Sequence, residues 1–170
     1  MTLLNLTGIA SGIWVEAPDG SPIPEAAQVI ISFKRLMAEG KALLQTSLHL
    51  GLQLEPHNAL EEVAQYIDAL SLIVIEFPVF TDGRGYSQAR RLREEFGYKG
   101  ELRAAGDILP DQARFMERCG FDSLVLAAGV DAETVRAALQ HYSFVYQPAA
   151  DGLVTIPEQR HGTPDRLKVS

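Results

Sequence analysis

The chain has 170 residues, 46% hydrophobic and 22% charged, the composition of a globular domain with room for one real core but not for two domains. An excess of Asp and Glu gives a formal charge of −7, which argues against a nucleic-acid or anionic-membrane surface. The single cysteine, Cys119, cannot form an intramolecular disulfide, ligate an iron–sulfur cluster alone or build a cysteine-rich zinc site.

From the N-terminus, Met1 to Ala10 lacks the basic region of a secretory signal, and no apolar run approaches membrane-span length, so a cytoplasmic location is expected. Residues 1–27 read as short strands, Leu3 to Leu6 and Gly12 to Val15, joined by turns around Asp19-Gly20. From Gln28 strand and helix alternate. Val29 to Phe33 is a strand, Lys34 to about Thr46 a helix, and Leu50 to Glu55 a strand. Leu60, Val63, Ile67 and Leu70 then share a helical face. Ser71 to Phe77 is the strongest strand, continuously apolar as a central strand should be. A helix runs to about Phe96, then a strand Glu101 to Ala105 and a helix Pro110 to Cys119. A strand Phe121 to Ala127 follows, and Asp131 caps a last helix. Tyr142, Phe144 and Tyr146 alternate as a short strand or interface stripe.

This pattern predicts an α/β fold: a mainly parallel sheet of about five βα units with short N-terminal strands, either open and doubly wound or a partial barrel. Eight units and about 250 residues would be needed for a closed barrel. Residues 1–147 form the single domain, and 148–170, rich in proline and polar residues, read as a flexible C-terminal tail.

In such folds ligands bind beyond the carboxyl ends of the strands. Those positions hold Glu55 and His57, then Glu76 and the loop to Ser87, then Asp107 and Gln112, with Arg103 on the strand itself. The loop is the densest. Gly83 and Gly85 bracket Arg84 at a helix entry, so backbone N–H groups and a guanidinium fork can face an anion. The candidate ligand-binding residues are Thr81, Asp82, Gly83, Arg84, Gly85, Tyr86, Ser87, Arg103 and Gln112, suited to a small oxyanion or phosphate. Arg84 would clamp the anion, Asp82 and Asp107 would orient it, and Tyr86 would donate a hydrogen bond. The competing reading of the same loop is a helix N-cap by Asp82 or Ser87 with Arg84 in an ordinary salt bridge. Asp107 and Glu76 are the candidate catalytic bases if the chain is a small acid–base enzyme acting on a carboxylate- or phosphate-bearing substrate; capping or pairing competes for Asp107.

Gly83-Arg84-Gly85 with Asp107 echoes a dinucleotide fingerprint, but Gln88 occupies the third glycine position. The four histidines show no HxxxH or HxH spacing, so no metal and no cofactor are expected. Cys119, at a helix end before Gly120, reads as core packing.

The stretch from Ile75 through Phe121 carries a more specific signal. Glu76-Phe77-Pro78, the run Phe80 to Arg90, Gly100 to Ala104, Gly106-Asp107 and Arg118 to Asp122 together resemble a proteobacterial domain family of unknown function, number 934, labelled as an oxidoreductase of sulfite reduction. The resemblance covers about residues 30–146 and implies a link to sulfate assimilation, since genes of that family commonly lie beside those for sulfite reductase. Sulfite reduction runs through sirohaem and an iron–sulfur cluster, which one cysteine cannot hold. The combined expectation is an accessory protein of assimilatory sulfite reduction without its own redox centre. It would bind a small anion, a sirohaem-related ligand or a sulfite reductase subunit. A homodimer would cover an exposed sheet edge, and a pure interaction module would instead show an exposed apolar patch.

Overall fold

Runs of Leu, Ile and Val at strand length alternate with stretches of helical periodicity, and each strand buries its alternate side chains under the helix that follows. In the computed structural model, which describes residues 2–9, 12–140, 145–150 and 152–161, the strands are β1 (Thr2–Asn5), β2 (Val15–Ala17), β3 (Gln28–Ser32), β4 (His49–Leu54), β5 (Leu70–Phe77), β6 (Glu101–Gly106) and β7 (Ser123–Leu126). The helices are α1 (Phe33–Leu43), α2 (Leu60–Val63), α3 (Arg84–Glu94), α4 (Ala113–Arg118), α5 (Ala132–Gln140) and α6 (Ile156–His161). The periodic face of residues 59–70 folds as short α2 continued by a 3-10 turn over Ala64–Ala69.

All seven strands form one sheet in the order β1-β7-β6-β5-β4-β3-β2. β2 through β7 are parallel neighbours, and β1 runs antiparallel along β7. The expected count of about five is therefore corrected to seven strands among the described residues. The two N-terminal pieces join the main sheet as its opposite edges, a long-range pairing that local pattern does not reveal. The strand order also decides between the two expected architectures. A doubly wound sheet needs a reversal of strand order; here each right-handed crossover steps the same way, so the helices collect on one face. The sheet curls into a half-barrel.

Residues facing the helices form the core: Val29 and Ile31, Leu50, Leu52 and Leu54, Ile73, Ile75 and Phe77, Leu102 and Ala104, Leu124 and Leu126. At roughly 25 cal/mol per Å² of apolar surface, this burial is the main term holding the fold. Arg35, itself buried on α1, fixes the helix-free link from β2 to β3 by donating to the carbonyls of Pro18 and Ser21, both at 2.8 Å.

Of the segment read as a tail, Ala150 N donates to the Arg118 carbonyl, Ile156 N donates to that of Val145 at 2.8 Å, and Thr155 is buried. Tyr146 is 73% exposed; Tyr142 and Phe144 lie outside the described residues.

Candidate functional site

The alternate side chains of the same strands point into the half-barrel. The pairing register lines them up in rows. Glu16, Ile30, Gly51, Leu72 and Glu101 are successive partners in one row; Ser32, Gln53, Val74, Arg103 and Ser123 form the next; Glu76 and Ala105 lie beyond, toward the carboxyl ends. The helix-facing rows are apolar, but these rows mix polar and apolar residues. They border a cavity of about 340 Å³, lined among others by Trp14, Ile30, Val74, Glu76, Arg103 and Ala105, within the size range of small-molecule sites.

Arg103 forms its floor, held from below by a buried polar cluster. Glu101 Oε1 accepts from Ser123 Oγ at 2.6 Å and from Arg103 Nε at 2.9 Å. Arg103 Nη2 lies 2.8 Å from the same oxygen but makes no well-directed hydrogen bond. Glu101, Arg103 and Ser123 are 4%, 7% and 0% exposed. Such a buried pair needs its ionic partners in place, so Glu101 holds Arg103 locally neutral. Higher up, Gln53 Nε2 donates to Glu76 Oε2 at 3.2 Å. Trp14, from the segment leading into β2, closes the other side. It is admitted by Gly51: a Cβ there would fall 3.1 Å from the indole Cε3 and Cζ3.

Gln53 also lines a second cavity of about 540 Å³ at the carboxyl ends of β3 and β4, bordered by Asp19, Ser32, Glu55, His57 and Asn58. There Ser32 Oγ donates to Asp19 Oδ1 at 2.5 Å while accepting from Arg35 N as the cap of α1. His57 Nδ1 lies 3.6 Å from Glu55 Oε2.

The glycine-bracketed loop is arranged differently. Arg84 donates through Nε and Nη2 to the two carboxylate oxygens of Asp82, at 3.0 and 2.7 Å, while Asp82 Oδ1 accepts from Arg84 N at the start of α3. The arginine's hydrogen bonds hold the Asp82 carboxyl below its ordinary range. Asp107 Oδ2 accepts from Phe80 N, and Gln112 donates to the Phe80 carbonyl while accepting from Leu109 N. Both side chains thus staple the loop. Thr81, Gly83 and Ser87 are exposed, and Gly85 is buried where its missing Cβ lets α3 meet the Phe77 ring. Tyr86 packs edge-on to Phe77 and tilted against Phe115, and burial raises its phenol pKa. Of the sequence candidates, Glu76 and Arg103 meet on one cavity, whereas Arg84 and Asp107 are engaged within the loop layer. Cys119 is buried at the end of α4, in the helix-side core.

Trp14, Glu16, Gln53, Glu101 and Ser123 were not singled out from sequence. The available signal was a polar residue at an alternate position of an otherwise apolar strand: Gln53, Glu76, Arg103 and Ser123 each interrupt such a run.

The family model described as bacterial protein of unknown function, DUF934, matches residues 51–156. The chain belongs to the DUF934 family. The stretch matching DUF934 begins within β4 and includes Gln53, Glu76, Glu101, Arg103 and Ser123, while Trp14, Glu16 and Ile30 precede it. No curated protein matches the chain. Among the described residues no group of three or more His, Cys, Asp or Glu is placed to hold a metal ion, and no helix is long and apolar enough to cross a membrane.

Proposed function

We propose that this DUF934 protein is an accessory factor of assimilatory sulfite reduction that works by binding a small molecule inside its half-barrel, without electron transfer of its own. The pathway link rests on the resemblance carried by residues 75–121. The binding role rests on one observation: the inner face of the sheet holds a cavity of about 340 Å³ with an ordered polar floor and an indole wall. A sheet face serving only as core would be filled with apolar side chains, as the layered interior of a closed barrel is. The cytoplasm, where sulfite is reduced, suits a chain with one buried thiol. The small anion expected at Arg84 would compete there with Asp82, already paired with both of its oxygens along the Nε–Nη2 edge of the guanidinium, so the ligand is assigned to the inner face instead.

Glu76 keeps a second reading alive, since it lines the cavity with one oxygen accepting from Gln53. In an acid–base enzyme it would be the base, and Glu76→Gln would stop turnover while leaving the ligand bound.

Growth on defined sulfur sources tests the accessory role. A strain lacking the chain should grow poorly on sulfate or sulfite and normally on sulfide or cysteine. Equal growth on sulfite and sulfide would refute the pathway assignment.

A further inference from the structure

Resting on the reading of the inner face as the binding site, we propose that its ligand is a planar organic cation carrying a neutral hydrogen-bond acceptor, not an anion. The charge, shape and donors of the cavity lining carry this. Two carboxylates line it, Glu16 and Glu76, against one cation, Arg103. Arg103 brings no net charge, because Glu101 sits 2.8 Å from its Nη2 underneath. Glu76 accepts from the neutral amide of Gln53 and, among the described residues, makes no ion pair. Glu76 is half-buried, so water shields its charge only in part and the charge disfavours an incoming anion.

Shape and hydrogen bonding narrow the class further. The indole of Trp14 forms one wall, and the indole face is the strongest aromatic partner for an organic cation. Opposite it, Ala105, Gly106 and Ala127 contribute almost no side chain, leaving a space that suits a flat ring. Arg103 is more than nine-tenths buried, and its Nη2 lacks a well-directed hydrogen bond. That nitrogen is enclosed beside Glu101, so a carbonyl or amide oxygen in the cavity would accept from the part of the guanidinium that lines it, without adding charge. The carboxylates thus select the charge, the tryptophan selects the planar body, and the arginine selects the acceptor.

A matched series of one ring separates these terms: 1-methylnicotinamide is cationic with an amide, nicotinamide is neutral with the same amide, and nicotinate is anionic. Titration is followed by calorimetry and by the indole N–H resonance of Trp14, the chain's single tryptophan and therefore an unambiguous probe. The expected result is a saturable Trp14 shift with 1-methylnicotinamide, binding at least tenfold tighter than nicotinate. Glu76→Gln and, independently, Glu16→Gln on the edge strand should each narrow that ratio at an unchanged unfolding midpoint. Nicotinate binding as tightly as the cation, with a Trp14 shift, would overturn the charge assignment and leave the inner face as the site. No Trp14 shift with 1-methylnicotinamide would overturn the ligand class. The site itself is checked separately, by whether the protein purified from its cells releases a small molecule that an Ala105→Trp variant does not carry.

Discussion

Trp14 rests directly against the backbone of Gly51, so closely that a methyl group at position 51 would fall 3.1 Å from two atoms of the indole and 3.1 Å from Ile30 Cγ1. The contact joins the segment before the edge strand to β4 and sets one wall of the cavity. Gly51→Val should therefore displace the indole. Overpacking of this kind costs about 1–3 kcal/mol, and Trp14 emission should move toward that of a solvated indole in a chain that still folds. An unchanged emission spectrum would show that Gly51 is not the seat of Trp14.

Arg93 is the main strut at the opposite end of the barrel. Its guanidinium donates to the carbonyls of Tyr98, Gly100 and Gly120 and, at 2.5 Å, to Asp122. Asp122 also accepts from Leu102 N and Thr7 Oγ1, so this one carboxylate connects α3, β6 and the segment after β1. Arg93→Ala would leave it buried without its cation. A loss of about 3–5 kcal/mol is expected in urea unfolding, with only partial recovery in Arg93→Lys, whose point charge cannot reach three carbonyls.

Tyr98 supplies a pH signature. Burial pushes its phenol far above the ordinary value of 10.0, because the phenolate cannot be solvated in the core. A pKa raised by folding gives stability that is complete below the unfolded-state value and is lost as pH climbs past it. Unfolding free energy should accordingly fall between about pH 10 and pH 12. Tyr98→Phe should flatten that part of the profile; an identical alkaline decline in the variant would assign it to another group.

Arg84→Ala removes a pair between residues two positions apart, its guanidinium exposed, while Asp82 keeps its bond from the backbone N–H of residue 84. Such pairs contribute little to stability, so the unfolding midpoint should barely move. Binding of 1-methylnicotinamide should be unchanged as well, since Arg84 does not line the inner cavity. A large loss of ligand affinity in this variant would return the site to the loop.

Much of this architecture was legible in the sequence, and the illegible part has a physical cause. The runs Ile73 to Phe77 and Leu102 to Ala104 announce buried strands by composition, and Asp131 announces a helix start that the structure confirms through Thr134 N on its carboxylate. Thr2–Asn5 and Val15–Ala17 could be read as extended, but Thr2 pairs with Leu126 of β7, 124 positions later, and Val15 pairs with Val29 across a helix-free link. No local pattern encodes such pairings. For the site, Arg103 and Glu76 were visible as polar residues in apolar strands. Arg84 drew attention because glycines flank it, yet that loop spends its polarity internally. Trp14 was invisible as a site residue because its place depends on an absent side chain at Gly51, 37 positions later.

Filling the inner face of the half-barrel tests directly whether function resides there. Ala105 lines that cavity with a single methyl group, so Ala105→Trp fills it while leaving the helix-side core untouched. Introduced into the strain lacking the chain, this variant should be produced, fold with a near-native unfolding midpoint, and fail to restore growth on sulfite. Full restoration of growth by the folded, filled variant would contradict the claim.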